Sequence, residues 1–523
     1  MAQVTSVIPA QPVGPRFSAA IRNVISNWAA FLVTSLVSFF LSPFIVRQLG
    51  DASYGAWVLI GSITGYLGLL DLGVRGAVTR YTASFSSRDD HAGASGVVST
   101  ALAIFLAGGV LAIGVAAILA FTVLHKFQIS PGDLGTARLV LMVVGFNVAV
   151  SLVSGVFGGV ITGVQRFDLA NGIEIAAAVM RAVVIVVALS AGFGLLALAL
   201  VHAGFALAIG AAYAACAMYV YPQLQVGLRW ASATQFRLIF SFSLFSFVLH
   251  VSTYLIYYTD SLVIGAFLPI SMVTFFAIAG NLIHYARALV SGISTTMTPM
   301  ISALQAREQM EEMNRVLLRA FKYATLLILA VGITFLLRGA TFIGLWMGPE
   351  YANPSGHVLW ILTLALLPVA SSQVAMSAML GLNRHRAVVP VVVGEALANL
   401  ALSIWWVRSM GINGVAWATA APSLVISLFW WPWYVRRVTG IPLIRFLVST
   451  WLRPAVAMVP FALVTMLAEW FWPAETLFMF FVQLGILLAV AGTGVWFVGL
   501  ESKDREQLRG RLLAPALAWV RGR

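Results

Sequence analysis

A chain of 523 residues that is 61% hydrophobic and 9% charged, with a mean hydropathy of +0.95, lacks the polar surface needed to wrap a soluble core. Lipid is therefore its solvent. The formal net charge of +13 and the pI near 10.3 would suit a nucleic-acid binder, but most cations sit at the ends of apolar stretches, which makes them a topology signal and argues for no nucleic-acid partner.

Crossing the hydrocarbon core takes about 20 apolar residues. Fourteen such stretches are predicted, near 24–46, 54–74, 97–124, 138–163, 169–191, 194–220, 237–266, 272–302, 320–345, 357–380, 387–408, 412–434, 447–469 and 476–499. Backbone polar groups must pair internally in lipid, so these are helices. Pro9, Pro12 and Pro15 precede a first apolar stretch longer than a signal core, and that span is expected to be retained. Assigning alternate connections to one face places 24 of the 31 Lys and Arg residues there, against Arg47, Lys126, Arg138, Arg338 and Arg408 on the other, with Arg181 and Arg287 inside spans. The positive-inside rule then puts both termini in the cytoplasm.

The longest polar connection, Gln305 to Lys322, reads as an amphipathic helix. The tail from 501 to 523 reads either as a solvated end or as a basic amphipathic segment meeting anionic lipid through its arginines, with Leu508, Leu512, Leu513 and Trp519 on the apolar side. A membrane glycan polymerase or ligase usually carries acidic catalytic residues on a long external loop, and this chain has none, so an enzyme is not expected. Cys216 is the sole cysteine, which rules out an internal disulfide and a cysteine-rich metal site; no metal or cofactor is expected.

The chain also matches itself. Shifted by 219 residues, nine of forty positions from 34 to 73 coincide without a gap, among them Ser42 with Ser261, Gly61 with Gly280, Tyr66 with Tyr285 and Gly73 with Gly292. Gly163-Val164-Gln165-Arg166 falls on Gly381-Leu382-Asn383-Arg384 at an offset of 218, and Gly192 falls on Gly411 at 219. A duplicated bundle of membrane helices is a transporter signature, because a site at a repeat interface can open to either side in turn.

Polar stripes run along several spans. Ser243, Ser246, His250, Thr253, Tyr257 and Asp260 recur at steps of three and four on span seven, and Thr274, Ala277, Asn281, His284, Ala288, Ser291, Thr295, Thr298 and Ser302 do so on span eight. Span one carries Asn23, Asn27, Thr34, Ser38 and Ser42, and span two Thr64, Asp71 and Arg75. For the small members close helix packing is the competing reading; the Asn, His and Asp members favour a wet surface. Charges at mid-depth say more, since an arginine at a helix centre costs roughly 2.5–3.5 kcal/mol on insertion scales. Arg181 is central in span five and Arg287 in span eight; Glu174, Asp260 and Glu395 are their available partners. Two readings stay open. One is structural pairing, Glu174 with Arg181 and Asp260 with Arg287. The other is a cationic cavity for an anion, in which guanidinium forks match two oxygens of a pyrophosphate, His284, His250, Asn281, Asn27 and Tyr257 add polar contacts, and Asp260, Glu174, Glu395, Asp71 and Arg75 serve ion pairing or coupling.

Leu49-Gly50-Asp51-Ala52-Ser53-Tyr54-Gly55, Leu70-Asp71-Leu72-Gly73-Val74-Arg75-Gly76-Ala77, Asp260 to Phe267, Pro299 before Ser302, and Gly381-Leu382-Asn383-Arg384 with Asn399 and Gly411-Ile412-Asn413-Gly414 resemble segments of the polysaccharide-transporter branch of the multidrug, oligosaccharidyl-lipid and polysaccharide exporter superfamily, the O-antigen-type (Wzx-like) flippases. The resemblance covers roughly residues 20–435. It implies an all-α polytopic membrane protein of about 14 transmembrane helices: an N-lobe over 1–221, a C-lobe over 237–437, each of six helices around a central cationic cavity, two further helices over 446–499, and the tail 501–523. It also implies a cargo, undecaprenyl-pyrophosphate-linked oligosaccharide, flipped across the bacterial inner membrane by alternating access for surface or exopolysaccharide synthesis. Membrane lipids, a polysaccharide polymerase and a chain-length regulator are the other partners this implies; proton or sodium coupling stays open. Arg181 departs from the repeat, standing where the second half has Asn399. Competing readings are a cation or multidrug extruder of the same superfamily, a membrane glycan polymerase or ligase, and a scaffold for polysaccharide assembly.

Overall fold

The structure is a computed structural model that describes residues 17–129, 132–500 and 505–506, and their side chains except at 17–21, 24, 241–250, 252, 253, 257 and 385. Among the described residues it is all helix and turn. The helices are α1 (Phe17–Leu67), α2 (Val74–Ser86), α3 (His91–Thr122), α4 (Leu134–Gly163), α5 (Phe167–Ser190), α6 (Leu195–Val220), α7 (Ala233–Phe267), α8 (Ser271–Ala306), α9 (Met310–Trp346), α10 (Pro349–Gly381), α11 (Val389–Val425), α12 (Trp431–Thr439), α13 (Leu443–Leu447), α14 (Arg453–Phe471) and α15 (Leu477–Gly494).

Eleven helical runs among the described residues are long and apolar enough to cross a membrane, and the protein is a multi-pass membrane protein. The number falls short of the fourteen predicted spans partly because two pairs are joined. Residues 25–86 and 389–439 each form one continuous run of 62 and 51 residues, far beyond the roughly 20 that one crossing needs. Within them, α1 and α11 each contain one glycine with non-helical backbone, Gly50 (φ 73°) and Gly411 (φ 60°), where the chain turns between two helical stretches. Both φ values lie where a side chain is strained. The expected amphipathic connection at 305–322 is no separate element: after a turn at Glu308 the segment is the first three turns of α9, continuous with its apolar part. Most of the tail lies outside the described residues; Arg505 folds back to donate to the carbonyls of Phe497 and Leu500 at 3.3 and 3.1 Å.

Two compact units divide the chain, one of residues 1–49, 64–125 and 131–247, the other of 50–63, 126–130 and 248–523. The first has its core where α2, α3 and α4 meet, with Val78, Val97, Val98, Phe105, Val156 and Val160 buried. Small residues let these helices approach closely, since a Cβ on Gly145 of α4 would run into Ala116 of α3. In the second, Leu326 of α9, Ala457, Met458 and Phe461 of α14, and Leu487 and Ala491 of α15 form a core that fastens the last two long helices to α9.

The sequence repeat is also a repeat of local geometry. Gln165 and Asn383, partners at an offset of 218, both take positive φ (62° and 53°). Around them the hydrogen bonds repeat as well: Gln165 N donates to Thr162 O and Arg166 N to Ile161 O, while Asn383 N donates to Leu380 O and Arg384 N to Met379 O. The glycine before each turn is held against an equivalent carbonyl; a Cβ would come within 2.9 Å of Thr79 O at Gly163 and within 2.7 Å of Thr298 O at Gly381. The halves differ at the opposite end of that repeat. Where α1 runs on through Gly50, the matching chain in the second half breaks at Pro269 between α7 and α8, because proline has no N–H to continue the ladder.

Candidate functional site

In the first unit, Asp71 ends a 3-10 turn (Gly68–Asp71), and Leu72 and Gly73 follow in the left-handed region (φ 50° and 77°) before α2 begins. This reversal hands the Asp71 carboxylate to the start of α2, where it accepts from Arg75 N at 3.3 Å and lies 3.5 Å from Arg75 Nε. The guanidinium reaches across α4 to the Ser151 carbonyl at 3.5 Å, over Gly155, whose missing side chain makes the room: a Cβ there would sit 2.6 Å from Arg75 Nε. Tyr213 of α6 lies likewise against Gly158, and its hydroxyl donates to Glu174 of α5 at 2.6 Å. On α1, Asn27 accepts from Asn171 of α5 at 2.6 Å, and Ser26 accepts from the same amide at 3.1 Å.

These contacts correct one expectation. Glu174 is satisfied by Tyr213, and Arg181 makes no hydrogen bond or ion pair among the described residues although it is only half-exposed and feels the Glu174 charge. A tyrosine on the next helix competes better for the carboxylate than an arginine two turns away on the same helix. At the end of α4, outside the spans, Arg166 forks onto Asp168 at 3.1 and 3.2 Å, and these hydrogen bonds hold the guanidinium above its ordinary pKa.

In the second unit, the other expected pair, Asp260 with Arg287, is replaced by contacts to α11. Asp260 is buried (5% exposed) and accepts from Thr419 at 2.7 Å and from Asn399 at a long 3.5 Å, while Asn399 also donates to Thr419 at 2.7 Å. Asn399 is thus a buried structural amide, whereas its repeat counterpart Arg181 is not buried; the broken symmetry in sequence is one of environment too. Arg287 lines a recess of about 190 Å³ with Gln373, Ser372, Glu395, Ser423 and Ser427. Glu395 accepts from Ser423 at 2.5 Å and, like His284, senses the Arg287 charge. His284 is exposed, and Asn281 hydrogen-bonds Tyr54. His250 and Tyr257 lie outside the residues whose side chains are described.

The 49–55 motif has a role in this unit as well. Asp51 accepts from Tyr351 of α10 at 2.5 Å, its carbonyl accepts from Thr274 of α8 at 2.7 Å, and Gly55 packs directly onto the Ile270 carbonyl. Sequence reasoning missed a buried ion pair altogether. Arg338, counted with the cations of one membrane face, is 1% exposed within α9; its Nε donates to Glu469 of α14 at 2.6 Å and its Nη2 to Gln483 of α15 at 2.6 Å, and Thr341 also donates to Glu469. The available signal was that Glu469 and Gln483 are isolated strong polar residues in apolar helices.

The half-buried Arg181 and Arg287, the buried Asp260 and a recess walled by Arg287, Gln373, Glu395 and three serines on membrane helices define a polytopic protein equipped to handle a polar solute within the bilayer. Its fold is that of known transporters. It superposes on an inward closed conformation of the lipid II flippase MurJ with a TM-score of 0.71 at 13% identity, covering 91% of this chain and 98% of that one. An inward-facing multidrug resistance MATE family transporter of the MOP superfamily gives 0.67 at 15% identity, over 80% and 98%. The chain belongs to the polysaccharide biosynthesis protein family, whose model matches residues 20–305. It is 21% identical over 398 residues to a putative O-antigen transporter of Shigella flexneri, spanning 76% of this chain and 93% of that protein. A probable flippase, AglR, of Haloferax volcanii is 21% identical over 398 residues, or 75% and 79% of the two chains.

Proposed function

We propose that this protein flips an undecaprenyl-pyrophosphate-linked oligosaccharide across the bacterial inner membrane, with both termini in the cytoplasm, for surface or exopolysaccharide synthesis. The observation that carries the reading is family membership, joined by relatives named as O-antigen transporter and flippase. The chemistry of the chain supports it. Arg181, half-buried and without an ion pair among the described residues, and Arg287, lining a polar recess, offer the fork of donors that a diphosphate matches. Ser, Thr and Asn side chains replace the water that a sugar head group loses. Flipping by alternating access breaks no bond, so no catalytic residue or cofactor is assigned. A polymerase and a chain-length regulator are its expected neighbours, and Asp260 and Glu395 are the carboxylates able to couple movement to protons or sodium.

The test is export in cells carrying Arg181→Ala or Arg287→Ala. Surface polysaccharide should be lost in both while protein level and membrane insertion stay normal, and the lipid-linked repeat unit should accumulate on the cytoplasmic leaflet. Normal export by both variants would sink the assignment. A cation extruder of the same superfamily is the second reading, favoured by the buried Asp260 and by Glu395; resistance to lipophilic cations on expression is its signature.

A further inference from the structure

The recess beside Arg287 is built unlike a plain anion site. Its wall also holds Gln373 of α10, Glu395 and Ser423 of α11, Ser427 just beyond α11, and Trp431 of α12. A diphosphate only accepts hydrogen bonds, and a carboxylate beside it repels it. Glu395 and the Gln373 carbonyl therefore need a guest that brings O–H or N–H donors.

Gln373 is the informative member. Its Oε1 is buried and accepts no hydrogen bond among the described residues. A buried acceptor left unmet costs free energy, so its persistence calls for a reason. Its neighbours are better satisfied: Ser423 donates to Glu395 at 2.5 Å, and Ser372 donates to Ser427 at 2.9 Å. Ser427 accepts in that bond and keeps its own hydroxyl proton to give.

The backbone shapes the same wall. Residues Ile426–Trp430 form a π-helical turn, closed by Trp431 N donating to Ile426 O. Such wide turns recur at functional sites. Pro432 follows and has no N–H, which leaves one carbonyl of the turn without its helical donor. Ser423, Ser427 and the buried Trp431, four residues apart in turn, all reach the recess.

The recess encloses about 190 Å³, room for about six waters at about 30 Å³ each. A single pyranose ring meets its demands. Sugar hydroxyls both donate and accept, an acetamido group adds an N–H, and the C–H face of the ring packs on an indole. An ammonium would also satisfy the acceptors, but Arg287 stands in the same wall and like charge disfavours it.

We propose that Gln373 and Glu395 select one monosaccharide of the cargo head group, accepting hydrogen bonds from its hydroxyl or acetamido groups while Ser427 and Trp431 hold the ring. The proposal rests on the flippase reading of this site, in which Arg287 takes the diphosphate, and it makes Gln373 a specificity-determining residue.

Native mass spectrometry of the full chain with three synthetic lipids, undecaprenyl pyrophosphate and its N-acetylglucosamine and galactose conjugates, tests it. The wild type should retain at least one sugar lipid roughly tenfold better than the bare diphosphate, about the worth of one or two hydrogen bonds. Gln373→Met keeps the length and removes the acceptor. It should erase the sugar preference, leave retention of bare undecaprenyl pyrophosphate unchanged, and melt no lower than the wild type, because the stranded oxygen is gone. Gln373→Glu, which keeps an oxygen acceptor, should retain the preference. Equal loss of all three lipids in Gln373→Met, or a lower melting temperature, would assign Gln373 to the fold and overturn the proposal. A wild type that holds the three lipids equally well would overturn it too. Arg287→Ala should weaken all three together; if it does not, and the preference still depends on Gln373, the diphosphate assignment fails and the sugar site stands. Retention of none of the lipids by the wild type would overturn both.

Discussion

Arg181 and Arg287 sit in different surroundings, and substitution should separate holding cargo from holding the fold. An arginine at mid-span costs roughly 2.5–3.5 kcal/mol to insert. Arg181 recovers none of this through an ion pair among the described residues, so Arg181→Leu should leave the melting temperature unchanged or raise it while export falls. A structural arginine would give the opposite pattern, with lower stability and export following protein level. Tyr213→Phe is the complementary case: deleting the hydroxyl that donates to Glu174 should destabilise by about 1–3 kcal/mol, read by thermal unfolding in detergent. Which residues carry intramembrane charge was legible in the sequence, because composition makes each one conspicuous. Their pairing was not. Periodicity along one helix put Arg181 beside Glu174, but the carboxylate went to Tyr213 on another helix, over a glycine that pattern reading takes for ordinary packing.

Elements are shaped here by a few backbone positions, and these were partly visible as the repeat. The match of Gly163 to Gly381 and of Gln165 to Asn383, visible as a repeat of residues, is in the structure one turn used twice, since each glycine meets a carbonyl and each following polar residue takes positive φ. Asn383→Val should therefore cost about 1–2 kcal/mol, the penalty of a branched L-residue in the left-handed region, whereas Asn383→Gly should be neutral or stabilising. Matching values at Gln165 would make the symmetry energetic as well as geometric. What the apolar alphabet hid was where one helix stops and the next begins, because Gly50 and Gly411 redirect the chain with no polar loop to mark the place. It also hid the tether of α14 and α15. Glu469→Ala strands the buried Arg338 and should cost about 3–5 kcal/mol, while Arg338→Met combined with Glu469→Leu should recover most of it, because two apolar groups of similar size leave no charge behind. Unfolding curves of the wild type and the two variants in one detergent decide this, and a double variant no better than the single one would assign the loss to packing around Gln483.

For the whole molecule, the distribution of cations is the boldest feature, and it makes a claim about orientation that is open to direct measurement. With 24 of 31 Lys and Arg residues on one face, the charge asymmetry far exceeds what a single misplaced span would upset, and the rule counts Lys and Arg near span ends and not net charge. Moving Arg338 from the sparse face into a buried pair leaves that face poorer still, which sharpens the asymmetry. The chain is well suited to the test, because Cys216 is its only cysteine and is a free thiol, so Cys216→Ser gives a blank background. A single cysteine introduced at Ala231 or at Arg307 should then be protected from a membrane-impermeant maleimide in intact cells and become reactive on permeabilisation. One placed at Glu350 or at Glu475 should react in intact cells. Export activity retained by each variant would certify that the labelled molecules are the working form. The reverse pattern would invert the topology and place both termini outside the cytoplasm.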